Sequence, residues 1–104
     1  MNLGYVILYV ADVTATVEFY ERAFGIERRF VHESGTYAEM ATGGTALGFA
    51  AEATASAMCP DFRRNRREDA PAGAEVAFVT DDVAARFAVA VAEGAIAILA
   101  PTRK

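Results

Sequence analysis

The residues that could do chemistry are few and far apart in the chain. Tyr5 and Tyr9 offer phenol groups, Glu75 a carboxylate, and His32 the only imidazole. A metal site needs several such donors, and no second His or Cys accompanies His32 at metal-like spacing. His32 is either a proton donor or metal ligand at the rim of a site, or an exposed histidine beside the Ser34-Gly35 turn, and we favour the exposed histidine.

Three further features carry reactive or charged groups. Glu39 is either a general base or a solvent-facing strand residue, and we favour the latter because strand position alone does not make a base. Cys59 has no catalytic partner in the sequence and is interpreted as an inert thiol. An arginine cluster could bind an anion or pair across a dimer, but acidic residues follow it and we expect it to be solvated; it comprises Arg63, Arg64, Arg66 and Arg67.

The composition limits the class of protein. With 104 residues, 54% hydrophobic and 23% charged, the chain is expected to form one domain, residues 1–104. Its apolar runs are too short to span a bilayer, and its single cysteine suits the cytosol. The net charge of −4 gives no attraction to nucleic acid. We therefore predict a cytoplasmic protein that binds neither membrane nor nucleic acid.

An internal repeat predicts the elements that would position these residues. Residues 5–13 return as residues 75–83, 70 positions later, with identical residues at four aligned positions: Val6/Val76, Asp12/Asp82, Val13/Val83 and Ala15/Ala85. Each copy has the pattern of a strand, an aspartate helix cap and a helix that stops near glycine, at Gly25 and at Gly94. Two related structural units are therefore expected.

The first unit, residues 1–50, has the pattern of a complete βαβββ unit. Its predicted strands are 5–10, 27–33, 37–41 and 45–50, with a helix between Asp12 and Gly25. Residues 51–73 are predicted to be a linker with a helical turn near 51–58. The second unit, residues 74–104, is predicted to contain a strand at 75–79, a helix capped by Asp81 or Asp82, and a strand at 95–99. Two more strands would be expected beyond Lys104, so this unit is incomplete in the chain.

The chain resembles the vicinal oxygen chelate superfamily, because it has paired βαβββ units that each begin with a strand, an Asp-Val pair and a helix. This superfamily includes glyoxalase I, bleomycin-resistance proteins and extradiol dioxygenases. The stretch Tyr5-Val-Ile-Leu-Tyr-Val-Ala-Asp-Val-Thr-Ala-Thr-Val-Glu-Phe-Tyr-Glu-Arg-Ala-Phe-Gly25 carries most of the resemblance, supported by residues 42–49 and 77–83. It implies an α+β fold in which a mixed sheet curls into a cup. Members of the family share this scaffold and differ in their chemistry.

The resemblance also implies where a divalent metal would be held. The positions that carry ligands in metal-dependent members fall at Tyr5, near Gly48 and at Glu75, and the fourth lies beyond Lys104. Only Glu75 offers a good oxygen donor, since a phenol is a poor ligand and glycine has no side chain. We therefore predict no metal and no cofactor, with Glu75 as a ligand only if a metal is present.

The predicted ligand site is the cup itself. Small residues alternate along the fourth strand, and its bare face near Gly48 would leave room for a ligand beside Tyr5, Ile7 and Tyr9, with Glu75 from the second unit. Alternatively, the small residues only permit close sheet packing and the tyrosines belong to the core.

Three functions follow as hypotheses. The first is metal-free binding of a small amphipathic or cationic molecule by a homodimer. The second is a metal-dependent lyase, isomerase or dioxygenase. The third is a structural role in which unpaired sheet edges join another chain. Whether the chain catalyses a reaction is left open.

Overall fold

The computed structural model describes residues 1–102 and contains four strands and three helices. Residues 103 and 104, the last two of the predicted second unit, lie outside the described residues. No helix in this part of the chain is long and apolar enough to cross a membrane. The elements in chain order are β1 (Tyr5–Val10), α1 (Val13–Phe24), β2 (Arg28–Val31), β3 (Tyr37–Met40), β4 (Ala46–Ala51), α2 (Glu52–Met58) and α3 (Val83–Ala92).

The four strands form one mixed sheet in the order β1-β4-β3-β2. β1 and β4 run parallel, whereas β3 is antiparallel to both β4 and β2. Gly48 is central in this register, because Ile7 faces it from β1 and Glu39 faces it from β3. The predicted α+β class and the βαβββ order of the first unit are confirmed, and the helical turn predicted near residues 51–58 is helix α2.

The helix caps predicted from the repeat are present in both copies. The Asp12 side chain accepts a hydrogen bond from the Ala15 N–H at 3.0 Å, and the Asp82 side chain accepts one from the Ala85 N–H at 3.0 Å. Gly25 ends α1 with a φ of 66°, a left-handed conformation that favours glycine. Of the two cap candidates in the second copy, Asp82 is the one that caps α3.

The buried core lies between helix α1 and one face of the sheet. Strand alternation directs every second side chain toward the helix. The cluster at its centre consists of Val13, Val17, Ala38, Met40, Leu47 and Phe49. Val6, Leu8 and Val10 of β1 pack against it. The opposite face of the sheet, which carries the other residues of each strand, is not covered by α1.

The second unit contributes helix α3 but no strand within the described residues. Strands were expected at residues 75–79 and 95–99, and this prediction is wrong for the structure. A strand requires a hydrogen-bonded neighbour, and Phe78 instead packs beside α1, with its ring centroid 5.2 Å from that of Phe24 and 6.3 Å from that of Tyr20. Residues 75–79 have the apolar alternation of a strand, but no neighbouring strand pairs with them in the described structure.

Helices α1 and α3 pack against each other. Arg86 Nη1 of α3 donates to the Ala23 carbonyl oxygen at 3.4 Å, and Arg22 lies 3.6 Å from a Glu93 carboxylate oxygen. The Arg86 guanidinium also lies 3.4 Å from where a Cβ atom at Gly25 would be. The second unit is therefore attached through its helix to the outer side of the first.

Candidate functional site

The sheet face opposite the core carries Tyr5, Ile7 and Tyr9 from β1. Their neighbours Val6, Leu8 and Val10 pack into the core, so alternation places these three on the other side. Tyr5 is 60% exposed and Ile7 44% exposed, whereas Tyr9 is partly buried. We call this surface the open face, and it is the surface that was predicted to form the cup.

Gly48 lies in the middle of the open face and leaves no empty space there. A Cβ atom at this position would lie 2.8 Å from the Tyr37 hydroxyl oxygen and 3.3 Å from Ile7 Cγ1. Because packed atoms do not approach this closely, any larger residue at position 48 would force the Tyr37 side chain to move. Of the two interpretations of the small residues, close packing applies at Gly48, because the Tyr37 phenol fills the space above it.

Glu39 is the main residue that sequence reasoning missed. Its side chain lies next to Tyr37 on the open face and is only 8% exposed, so the prediction of a solvent-facing residue is wrong. The Tyr37 hydroxyl donates a hydrogen bond to Glu39 Oε2 at 2.9 Å, and Arg29 Nη1 lies 3.7 Å from Oε1. The i, i+2 spacing of Tyr37 and Glu39 signals a shared face, but not that the face is covered.

The environment of Tyr37 makes it a persistent hydrogen-bond donor. Burial raises the pKa of the Tyr37 phenol to about 12, and the hydrogen bond to Glu39 and the charge of that carboxylate add to the shift. Both effects disfavour the phenolate. Tyr37 therefore stays protonated near neutral pH and keeps its proton directed at Glu39.

One end of the open face is covered by the predicted linker. The Phe62 ring packs against Tyr9 with centroids 4.9 Å apart, and Arg66 binds Glu52, the first residue of α2. The arginine cluster is exposed, as predicted, although Arg66 is also paired with a carboxylate that is buried. No local sequence pattern indicates this pair, since the two residues are 14 positions apart.

The other candidate residues lie away from the open face. Glu75 is exposed, and within residues 1–102 it forms no hydrogen bond or ion pair with the residues of the predicted site. His32 is exposed in the β2–β3 turn, where its Nδ1 lies 2.7 Å from Ser34 Oγ, as the favoured interpretation predicted. Cys59 is a free, exposed thiol.

An apolar groove of about 810 Å³ lies elsewhere, between α1, α3 and residues 76–80 and 95–99. Its walls include Val76, Phe78 and Val83, which the repeat aligns with Val6, Leu8 and Val13. Those three pack in or against the core of the first unit. We therefore interpret the groove as the core-facing side of the second unit rather than as a ligand site.

The family model for the glyoxalase/bleomycin resistance protein/dioxygenase superfamily matches residues 2–104. The chain belongs to this superfamily. The identification agrees with the βαβββ unit and with the mixed sheet described above.

Solved structures of the superfamily show the same fold at low sequence identity. A glyoxalase/bleomycin resistance protein/dioxygenase family enzyme from Burkholderia phytofirmans PsJN is 24% identical with a TM-score of 0.74, covering 100% of this chain and 82% of that one. TioX from Micromonospora sp. ML1 is 19% identical with a TM-score of 0.64, covering 100% of this chain and 81% of that one. A possible glyoxalase from Bacillus cereus is 21% identical with a TM-score of 0.59, covering 90% and 75%. No curated protein matches the chain at a significant level.

The residues at the superfamily's metal positions do not fit a metal ion. Among residues 1–102, no group of three or more His, Cys, Asp or Glu side chains lies close enough together to hold one. Gly48 offers no donor, and the Tyr37 phenol occupies the space in front of it. The protonated phenol is itself a poor ligand. Of the three positions that lie within the described residues, Tyr5 and Gly48 therefore offer no good metal donor, and Glu75 alone offers a carboxylate.

Proposed function

We propose that this superfamily member binds a small amphipathic molecule with a cationic group on its open face, without a metal or other cofactor. The Glu39 carboxylate would accept the cation, and the side chains of Tyr5, Ile7 and Tyr9 would contact the apolar part of the ligand. Aromatic rings beside a carboxylate attract cations both through the charge and through the ring faces.

The observation that supports this proposal most is that only one oxygen of the Glu39 carboxylate accepts a hydrogen bond. Oε2 accepts the hydrogen bond from Tyr37, whereas Oε1 faces Arg29 at 3.7 Å, longer than a charge-assisted hydrogen bond of about 2.8 Å. Within the described residues, no buried side-chain oxygen lacks a hydrogen-bond partner. Oε1 accepts no such bond within residues 1–102 and is therefore not completely enclosed, so we expect that a ligand cation can approach it.

Arg29 is the competitor of the ligand for this oxygen. Its side chain is 53% exposed and makes no hydrogen bond with Glu39. The 3.7 Å separation is longer than a hydrogen bond and the arginine is largely solvated, so a ligand cation could take its place. The open face thus combines a buried acid, a displaceable arginine and exposed aromatic surface.

The metal-dependent lyase, isomerase or dioxygenase is the alternative, and no observation favours it. It would require donors at the positions filled by Tyr5, Gly48 and Glu75. Metal analysis of the purified protein tests it, because stoichiometric Ni, Zn, Fe or Mn would contradict the metal-free proposal.

The binding proposal is tested with two dyes that share a three-ring xanthene skeleton. Rhodamine 123 is a cation and fluorescein is an anion, so fluorescence polarisation titrations compare charge at nearly constant shape. We expect rhodamine 123 to bind and fluorescein not to. Glu39→Gln should weaken the binding of rhodamine 123 by about 10- to 100-fold, the equivalent of a hydrogen bond to a charged group. Glu33→Gln, at an exposed turn residue, is the matched control.

Three results would contradict the proposal. They are equal binding of the two dyes, binding of rhodamine 123 that survives Glu39→Gln, and no binding of rhodamine 123 at all. Circular dichroism of Glu39→Gln should match that of the wild type, so that any loss of binding is not a loss of fold.

We also propose that the protein acts as a homodimer. The outer edge of β1 has no neighbouring strand within the described residues, and β1 contains no charged residue or proline that would block pairing. Light scattering should give twice the 11.1 kDa chain mass. A chain that stays monomeric at high concentration would contradict the dimer without affecting the ligand proposal.

A further inference from the structure

Residues 59–67 fold back onto the protein and are fixed there by one buried carboxylate. Arg66 binds Glu52 with both guanidinium nitrogens, at 2.7 Å to Oε2 and 2.9 Å to Oε1. Arg64 lies 3.7 Å from the same carboxylate. The Glu52 side chain is only 11% exposed, and two-pronged arginine pairs of this kind restrict both position and orientation. We call residues 59–67 the strap.

The strap places one aromatic ring against the open face. Phe62 meets Tyr9 edge to face, with centroids 4.9 Å apart and ring planes at 67°. The Arg64 guanidinium lies over the other side of Phe62, 4.9 Å from its centroid. Because Arg64 also faces Glu52, one charged group connects the ring to the anchoring carboxylate. The position of Phe62 is therefore determined by Glu52 through its arginine partners.

This arrangement gives the open face one closed end and one open end. Along β1 the side chains become more exposed from Tyr9, beside Phe62, through Ile7 to Tyr5. The carboxylate proposed to bind the cation is on Glu39, which faces Gly48, and Gly48 faces Ile7. Tyr9 therefore lies two residues along the strand from Ile7, about 7 Å, and Glu39 lies two strands across from Ile7, about 9.5 Å, so Tyr9 and Glu39 are about 12 Å apart along the sheet.

From this geometry we infer that Phe62 is a specificity-determining wall of the ligand site, held in place by the Glu52–Arg66 pair. The inference rests on the proposed function. Its ligand class is an aromatic cation whose ring packs against Tyr9 and Phe62 while its charge lies about 12 Å away, at Glu39. Glu52 and Arg66 are positioning residues, because they hold Phe62 in place and are not proposed to contact the ligand.

The ligand class is tested with phenylalkylammonium ions that differ only in linker length, from benzylammonium to 8-phenyloctylammonium. Each ion is titrated in competition with bound rhodamine 123. We expect the affinity to peak for the members whose ring and ammonium are about 12 Å apart. In Phe62→Ala the best member should lose about two- to tenfold in affinity and the preference for length should flatten, since aromatic pairs contribute about 0.5–1.5 kcal/mol. Phe62→Tyr should retain the preference, and Arg63→Ala, at an exposed strap residue, is the control.

The positioning role is tested with a readout that does not need a ligand. Cys59 is the single cysteine of the chain and is exposed, so a nitroxide label attached there reports motion of the strap by electron paramagnetic resonance. Glu52→Gln and Arg66→Ala should both mobilise the label, Arg66→Lys should do so less, and Arg63→Ala should leave the spectrum unchanged. An unchanged spectrum in Glu52→Gln would overturn the assignment of the anchor.

The outcomes separate this inference from the function on which it rests. If rhodamine 123 binds through Glu39 but Phe62→Ala keeps both the affinity and the preference for linker length, the assignment of Phe62 as a wall of the ligand site is wrong. The proposed function then still stands. If rhodamine 123 does not bind, the proposed function and the wall both fall, while the label at Cys59 still decides whether Glu52 and Arg66 hold the strap.

Discussion

The hydroxyl of Tyr37 lies 2.8 Å from the point where a Cβ atom at Gly48 would be. This one contact links the strand pair β3–β4 to the proposed binding chemistry, because the same phenol donates a hydrogen bond to Glu39. The consequences can be measured.

Gly48→Ala should destabilise the protein by about 1–3 kcal/mol, because the added methyl group overlaps the Tyr37 hydroxyl and forces it to move. Urea denaturation measures the loss. The double variant Gly48→Ala/Tyr37→Phe should recover part of it, since the oxygen at 2.8 Å is then absent. Gly44→Ala is the matched control, because nothing lies within 4 Å of a Cβ atom there. A destabilisation equal to that of the control would show that the two strands are not packed as described.

The contribution of Tyr37 to the free energy of unfolding should decrease at alkaline pH. Its folded pKa is raised to about 12 from 10.0, so the neutral phenol stabilises the fold below pH 10. That contribution should disappear as the pH rises through about 12, because the unfolded chain then releases its proton more readily. The free energy of unfolding, measured in urea between pH 8 and pH 12 (roughly the window set by these pKa values), should fall less steeply in Tyr37→Phe than in the wild type. Parallel curves for the two proteins would contradict the assignment.

The contribution of the Glu52–Arg66 pair to the free energy of unfolding should decrease at acidic pH. The hydrogen bond from Arg66 holds the pKa of the Glu52 carboxyl below its usual value of 4.5. The charged pair therefore stabilises the fold above pH 4.5, and this contribution is lost as the pH falls through the folded pKa. Thermal unfolding from pH 7 downward should show a shallower acid dependence in Glu52→Gln than in the wild type. Glu33→Gln, at an exposed residue, should retain the wild-type slope.

Arg66→Ala should be more damaging than Glu52→Gln at neutral pH. It leaves a buried carboxylate with only Arg64 nearby, at 3.7 Å, whereas the glutamine variant removes the charge together with its need for a partner. We expect Arg66→Ala to lower the free energy of unfolding more than Glu52→Gln does, because the carboxylate then loses its hydrogen-bonded partner. Equal stability of the two variants at pH 7, measured by chemical denaturation, would indicate that Glu52 is well solvated.

The features predicted correctly from the sequence are those determined by near neighbours. Asp12 and Gly25 delimit α1 because a cap and a left-handed glycine act within one helical turn. Strand alternation likewise separated Tyr5 and Ile7 from the core-facing side chains of β1. These patterns are sufficient for the first unit.

The features that were missed depend on contacts between distant residues. Glu39 is buried because Tyr37 and Arg29 lie beside it, and alternation cannot tell a covered face from an exposed one. Residues 75–79 have a strand pattern but no strand neighbour in the described structure, and pairing is not encoded locally. The Glu52–Arg66 pair joins α2 to residues 59–67, which have the composition of a polar linker.

The confinement of the core cluster to Val13 through Phe49 has a consequence for the order of folding. During synthesis this cluster can assemble before α3 has emerged, and α3 can then dock on a preformed surface through Arg86. Contacts that form after the rate-limiting step mainly slow unfolding. Loss of the contacts between α1 and α3 should therefore raise the rate of unfolding more than it lowers the rate of folding.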